Sequence, residues 1–179
     1  DFRLLRGVME VNLSQKDHFV SKIRRYYGKN LTGKTFAVLG LAFKGNTDDV
    51  RESVAVAVVK ILRGMGAHLK VYDPQAMYNA KLELGEKSIS YSLDKYEAIE
   101  GSDAILLLTE WSDFKHLDFS KIENLVKEKV IFDGRNLLNW KEVESLGYTY
   151  FAIGKNTNGF EAIQKRPVGP TGVILNNGD

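Results

Sequence analysis

Cysteine is absent from the 179 residues. That excludes a disulfide framework, a thiol nucleophile and a zinc–thiolate site. Long apolar runs are missing too. Stretches such as Ala104–Leu108 are strand-sized, far below the roughly 20 residues that cross a bilayer, so no membrane partner is expected. The opening DFRLLRGVMEVN has no apolar block followed by a small-residue cleavage site, so no secretion signal is read and a cytoplasmic location is expected. It also lacks an initiating Met, as a piece of a longer chain would. Charge of one sign is scarce: 25 Lys and Arg stand against 23 Asp and Glu, net +2. The basic residues are scattered rather than gathered into a stripe, so no nucleic-acid partner is expected. His18, His68 and His116 have no metal-ligand spacing, and neither a Walker loop nor G-x-S-x-G occurs.

What is present is ordinary globular chemistry, 44% hydrophobic and 27% charged, enough for one core. Residues 2–28 read as one long helix. Leu4, Leu5 and Val8 open an apolar stripe, and Phe19, Val20, Ile23, Tyr26 and Tyr27 continue it at helical spacing. The stripe fits a helix lying on its own domain and, equally, a connector to a further domain or dimer partner. From Lys34 the pattern alternates strand and helix. TFAVL (35–39), HLKVY (68–72), 88–91, DAILLLT (103–109), VIFD (130–133) and 148–153 read as strands. Helices are expected at 51–65, with Asp49 and Glu52 as a capping box, and at 96–100, 119–129 and 140–146. Repeated strand–helix–strand units imply an α/β, Rossmann-like, doubly wound parallel sheet over 32–155, preceded by the helix of 1–31. Residues 156–179, rich in Gly, Pro and Asn, read as an irregular tail.

Ligands of open parallel sheets bind beyond the carboxyl ends of the strands. Phe43, Lys44, Asp48, Asp49 and Arg51 follow the first strand, Asp73 the second, Thr109, Glu110 and Trp111 the long strand, and Arg135 and Asn136 the VIFD strand. Lys44, Arg51 and Arg135 are expected to converge on one rim, which favours an anionic, phosphorylated ligand. Each also has a plainer role. Arg51 can pair with Asp48 or Asp49, Lys44 can be solvated charge, and Arg135 can brace a loop. Asp73 stands where dinucleotide folds keep a ribose-binding acid, but it precedes Pro74, and the turn is the favoured role. Trp111 and Trp140 read as packing. The first loop is GLAFKG rather than G-x-G-x-x-G. Without the middle glycine, close approach to a pyrophosphate is lost, so this is a poor primary NAD site.

The run GKTFAVLGLAFKGNTDDVRES (33–53) resembles the opening of the C-terminal domain of the UDP-glucose/GDP-mannose dehydrogenase family. VYDPQAM, SDAILLLTEWSDF, VIFDGRNLL and GYTYFAIGK are similar to later family segments, in order, and EVNLSQK resembles the end of the family's long central helix. The resemblance implies oxidation of a nucleotide sugar's C6 alcohol to a carboxylate with reduction of two NAD, in support of polysaccharide biosynthesis. It also implies an upstream NAD domain and a middle domain carrying the catalytic Cys, Lys and Asn. Phe43 and Lys44 would contact the substrate's nucleotide part, Arg135 its ribose or phosphates, and Arg51 the cofactor across a cleft. NTDDVRES, DPQAM and TEW look more like the UDP-glucose enzymes than those for UDP-N-acetylhexosamines or GDP-mannose. The expectation is a substrate-binding fragment with no catalytic residue of its own, paired as a homodimer through the N-terminal helix. The alternative is a stand-alone nucleotide-binding or dimerisation module derived from that domain.

Overall fold

The computed structural model describes residues 2–155 and 157–165, with side chains from Gln15 onward. Six parallel strands form one sheet: β1 (Thr35–Leu39), β2 (His68–Tyr72), β3 (Ile89–Tyr91), β4 (Ala104–Leu107), β5 (Val130–Asp133) and β6 (Thr149–Ala152). Their order is β3-β2-β1-β4-β5-β6. The register sets Ala37 between Lys70 on β2 and Ile105 on β4. Alternation along each strand then serves both faces at once, which is why these strands read as continuous apolar runs.

One face presents Phe36, Val38, Leu69, Val71, Leu106 and Phe132 to α1 (Phe2–Tyr27) and α2 (Val54–Gly64). The other presents Ala37, Leu39, Ile105, Leu107 and Tyr150 to α4 (Lys95–Ile99), α5 (Ser112–Lys115), α6 (Phe119–Ile122) and α7 (Trp140–Ser145). The expected doubly wound sheet is thus the one observed. No helix of the described residues is long and apolar enough to cross a membrane.

The end of α1 belongs to this core. Phe19, Val20, Ile23, Tyr26 and Tyr27 are all buried, and Tyr26 and Tyr27 pack edgewise or tilted on Phe132, which stacks on Phe151 at 4.3 Å. The helical stripe read at 19–27 is therefore a packing face for its own sheet. The stripe read at Leu4, Leu5 and Val8 lies outside the described side chains.

Several boundaries differ from the pattern, each for a local reason. α2 starts later than residue 51. Its N-cap is Ser53, whose hydroxyl accepts from the Val56 N–H, while Glu52 takes a left-handed φ of 56°. The helix expected over 119–129 stops at Ile122, because the backbone beyond it pairs with another loop: Gly101 donates to Leu125 O and Lys127 to Ser102 O. A helix not read from the pattern, α3 (Met77–Leu84), follows the Asp73–Pro74 turn and buries Ala80 and Leu84. The irregular tail expected from residue 156 is helical over α8 (Asn158–Lys165), which packs on β6 and α1. There the Asn158 side chain accepts from Tyr150 N–H and donates to Tyr148 O, supplying the exposed edge of β6 with partners. Gly159 permits the contact, since a Cβ there would stand 2.5 Å from Tyr150 O. Residues 166–179 lie outside the described part.

Candidate functional site

Strand order reverses between β1 and β4, and a crevice at such a switch point is where open α/β sheets hold ligands. The loop leaving β1 is pressed onto the end of β4. Gly40 has φ 96°, and a Cβ on it would fall 2.5 Å from the Thr109 Cβ; one on Gly45 would fall 2.6 Å from Glu110 O. Thr109 Oγ1 donates to Ala42 O at 2.8 Å. Two glycines and one hydroxyl thus fix the loop that carries Phe43 and Lys44, both of which are exposed.

Asp73 secures the same loop from the β2 side. Its carboxylate is buried and accepts five N–H groups: Leu41 (2.7 Å) and Ala42 (3.0 Å) from the first loop, Gln75 (3.0 Å) and Ala76 (2.8 Å) from its own turn, and the Trp111 indole (3.1 Å) after β4. The turn expected of Asp73 is there, but it is only part of the role. Trp111, read as packing, is buried and also makes this bond.

A second buried carboxylate holds the opposite lip. Asp133 accepts from the backbone N–H of Arg135 (2.9 Å), Leu137 (2.8 Å) and Leu138 (3.0 Å), and from the Tyr150 hydroxyl (2.6 Å). Burial, reinforced by the Asp133 charge, pushes the Tyr150 hydroxyl well above the usual phenol range, so it stays a donor. Asn136, at φ 53°, exchanges two hydrogen bonds with the Ile153 backbone. Arg135 is held by its own backbone and by Leu108 O (2.9 Å) and Glu110 (3.3 Å), and its far nitrogen reaches Phe43 O at 3.5 Å. The roles of Tyr150 and Asn136 escape a sequence reading, because they depend on β6 lying beside β5.

Phe43 and Arg135, 92 positions apart, are therefore joined, with Lys44 adjoining. Of the three cations expected on one rim, Arg51 is already paired. Arg51 forks onto Asp49, with Nε to Oδ1 at 3.0 Å and Nη2 to Oδ2 at 2.8 Å, and its backbone N–H binds the same carboxylate. This guanidinium holds the Asp49 carboxyl down at about 2. The pair borders a separate hollow shared with Asn79, Leu82 and Glu83 near α3. The plainer role read for Arg51, pairing with an aspartate, is the one this structure contains.

NAD does not fit the first loop in the dinucleotide manner. Ala42, buried, stands where the middle glycine would be, and the Asp73 carboxylate already accepts five N–H groups that hold the loops together. Among the described residues no cluster of His, Cys, Asp and Glu could hold a metal ion.

Residues 37–140 match the UDP-glucose/GDP-mannose dehydrogenase family, UDP binding domain. The chain is similar to the UDP-glucose 6-dehydrogenase TuaD of Bacillus subtilis, 43% identical over 154 residues, which is 86% of this chain and 33% of that protein. It is 39% identical to the UDP-glucose 6-dehydrogenase of Rickettsia conorii over 86% of this chain and 36% of that one. The solved UDP-glucose dehydrogenase from Pyrobaculum islandicum shares the fold with a TM-score of 0.67 and 32% identity, covering 83% of this chain and 31% of that one. The chain thus spans about a third of the length of the curated relatives it matches. Phe43, Lys44, Arg51 and Arg135 all fall inside the matched segment. The doubly wound sheet and the match over more than half of the sequence lead to one conclusion: the chain belongs to the UDP-glucose/GDP-mannose dehydrogenase family, and what it carries is that family's UDP-binding domain.

Proposed function

We propose that this chain grips the UDP part of a UDP-sugar in the crevice beyond β1 and β4, as the substrate-binding portion of a dehydrogenase that oxidises UDP-glucose to UDP-glucuronate with two NAD. The observation that carries this reading is the Phe43–Arg135 junction. It joins the loop after β1, which carries the exposed Phe43 and Lys44, to Arg135 after β5, beside the end of β4. A fork and a point charge suit diphosphate oxygens, and an aromatic face suits a planar base.

In this reading Phe43 and Lys44 contact the nucleotide part and Arg135 its ribose or phosphates. Arg51 turns to the cofactor only on leaving Asp49. The thiol and the NAD site belong to protein outside these 179 residues, so this chain alone binds without catalysing. The N-terminal helix α1 also pairs with a second copy in a homodimer.

Isothermal titration of the chain with UDP, UDP-glucose, GDP and NAD tests this directly. Binding of UDP and UDP-glucose, with GDP at least about tenfold weaker and NAD silent, is the expected result. Tight NAD binding, or no preference for UDP over GDP, overturns it.

A further inference from the structure

A second basic site lies between α1, the end of β6 and α8. His18, Lys22 and Arg25 succeed one another along α1 at helical spacing, and Lys155 approaches from the loop after β6. They surround a pocket of about 200 Å³ whose walls include Phe151 and Phe160 and, among the described residues, no Asp or Glu. Other cations of this domain, such as Lys34, Lys60, Lys81, Lys95 and Arg135, have carboxylate partners. None of the ion pairs between described residues includes Lys22, Arg25 or Lys155.

Two of them rest on uncharged groups. Arg25 lies over the Phe160 ring at 5.6 Å, and the half-buried Lys22 ammonium donates to the Ala152 carbonyl. Burial without a counter-charge pulls the Lys22 ammonium below its usual range. Three cations gathered at one pocket repel one another, and an anion seated among them removes that cost and gains charge-assisted hydrogen bonds.

Size narrows the ligand. The pocket offers about 200 Å³. That is below the ~300–1,000 Å³ of pockets for drug-sized ligands. It admits one anionic group and at most a ring, for which the half-exposed Phe160 offers a stacking face. Three cations match a dianion better than a monoanion.

We propose that the α1–β6–α8 pocket is a second anion site, separate from the β1–β4 crevice, which binds a small phosphorylated ligand of the aryl phosphate class through Lys22, Arg25 and Lys155, with His18 as a further donor. This does not depend on what the crevice binds.

The test is calorimetric titration of the whole chain with phenyl phosphate and with benzoate. Wild type, Arg135→Ala and the double variant Lys22→Gln/Arg25→Gln are compared, with circular dichroism to confirm folding. Phenyl phosphate is expected to bind wild type and Arg135→Ala alike and the double variant at least about tenfold more weakly. Lys155→Gln and Arg25→Gln, single changes at exposed positions, are expected to weaken binding severalfold each, and they stand in if the double variant does not fold. No binding of phenyl phosphate to wild type at about 1 mM overturns the site. Equal binding to all variants overturns the residue assignment, and benzoate binding as tightly as phenyl phosphate overturns the preference for phosphate.

Discussion

The Asp73 carboxylate lies 2.7 Å from the Leu41 backbone nitrogen, 32 residues earlier in the chain, and through it the end of β2 sets the course of the loop that leaves β1. Because the same oxygen also accepts from Ala42 and from the Trp111 indole, one buried oxygen ties together the ends of β2, β1 and β4. Asp73→Asn replaces an acceptor with an amide that must turn either its NH₂ or its single oxygen toward several donors. Leaving buried N–H groups unpaired costs about 1–3 kcal/mol. At about 2–4 °C per kcal/mol for a domain of this size, a melting temperature lower by several degrees is expected. UDP affinity is expected to fall at least about tenfold, as Phe43 and Lys44 lose their fixed position. Thermal melts and titration of the same sample check both, and an unchanged melt with unchanged affinity refutes the hub.

Arg135 is expected to separate binding from stability. Its side chain is about a third exposed, and its bonds are to one carbonyl, a second carbonyl at the limit of contact, and a half-exposed Glu110. Arg135→Ala should cost about 1 kcal/mol of stability or less while weakening UDP at least about tenfold. Arg135→Lys should not restore affinity, since an ammonium cannot fork onto two oxygens. Urea melts beside calorimetric titrations give the comparison, and full affinity in Arg135→Ala rejects the assignment.

Gly40→Ala tests the close approach of the first loop to β4. The new methyl would meet Thr109 at 2.5 Å from a backbone at φ 96°. Overpacking and left-handed strain together are expected to cost about 2–4 kcal/mol. Gly64→Ala, which meets nothing within 4 Å inside α2, is the control and should be neutral or mildly stabilising. Equal stability of the two variants in chemical denaturation contradicts the packing described.

The Asp49–Arg51 pair predicts a direction with pH. The folded Asp49 carboxyl lies at about 2 against an ordinary 3.8, held down first by the Arg51 side-chain hydrogen bonds. A depressed carboxylate contributes its stability above the ordinary value and loses it as pH falls from 3.8 through about 2. The pair is solvent-exposed, so the effect on global unfolding is small and the local titration is the measurement. Carboxyl-detected NMR should place the Asp49 midpoint near 2, and Arg51→Ala should return it to the ordinary range. A UDP-free sample with an ordinary midpoint would show that Arg51 is already free.

Apolar periodicity makes most of this domain legible in the sequence. Runs such as TFAVL and DAILLL can be strands only if both faces are covered, and Phe19 to Tyr27 could form a stripe only as a helix. Where backbone partners came from afar, the pattern misled. Residues 123–129 leave the helix because Gly101 and Lys127 complete other pairings, and 158–165 form a helix because Asn158 and Gly159 fit the edge of β6. Neither partner can be seen from within those segments.

The chain's own residues determined the fold class, the loss of the middle glycine at Ala42, and which charged residues follow each strand, because each is a matter of local type and spacing; the roles of Phe43, Lys44, Arg51 and Arg135 come from the family resemblance. Tertiary structure alone decided which candidates meet. Strand order brings β5 to β4 and so Arg135 to Phe43, while Arg51 is taken by an aspartate two residues away. Asp73 and Asp133 gain their control of the crevice in the same way. A carboxylate gathers four or five donors only when separate strand ends are folded side by side, and no order of residues along one strand can display that.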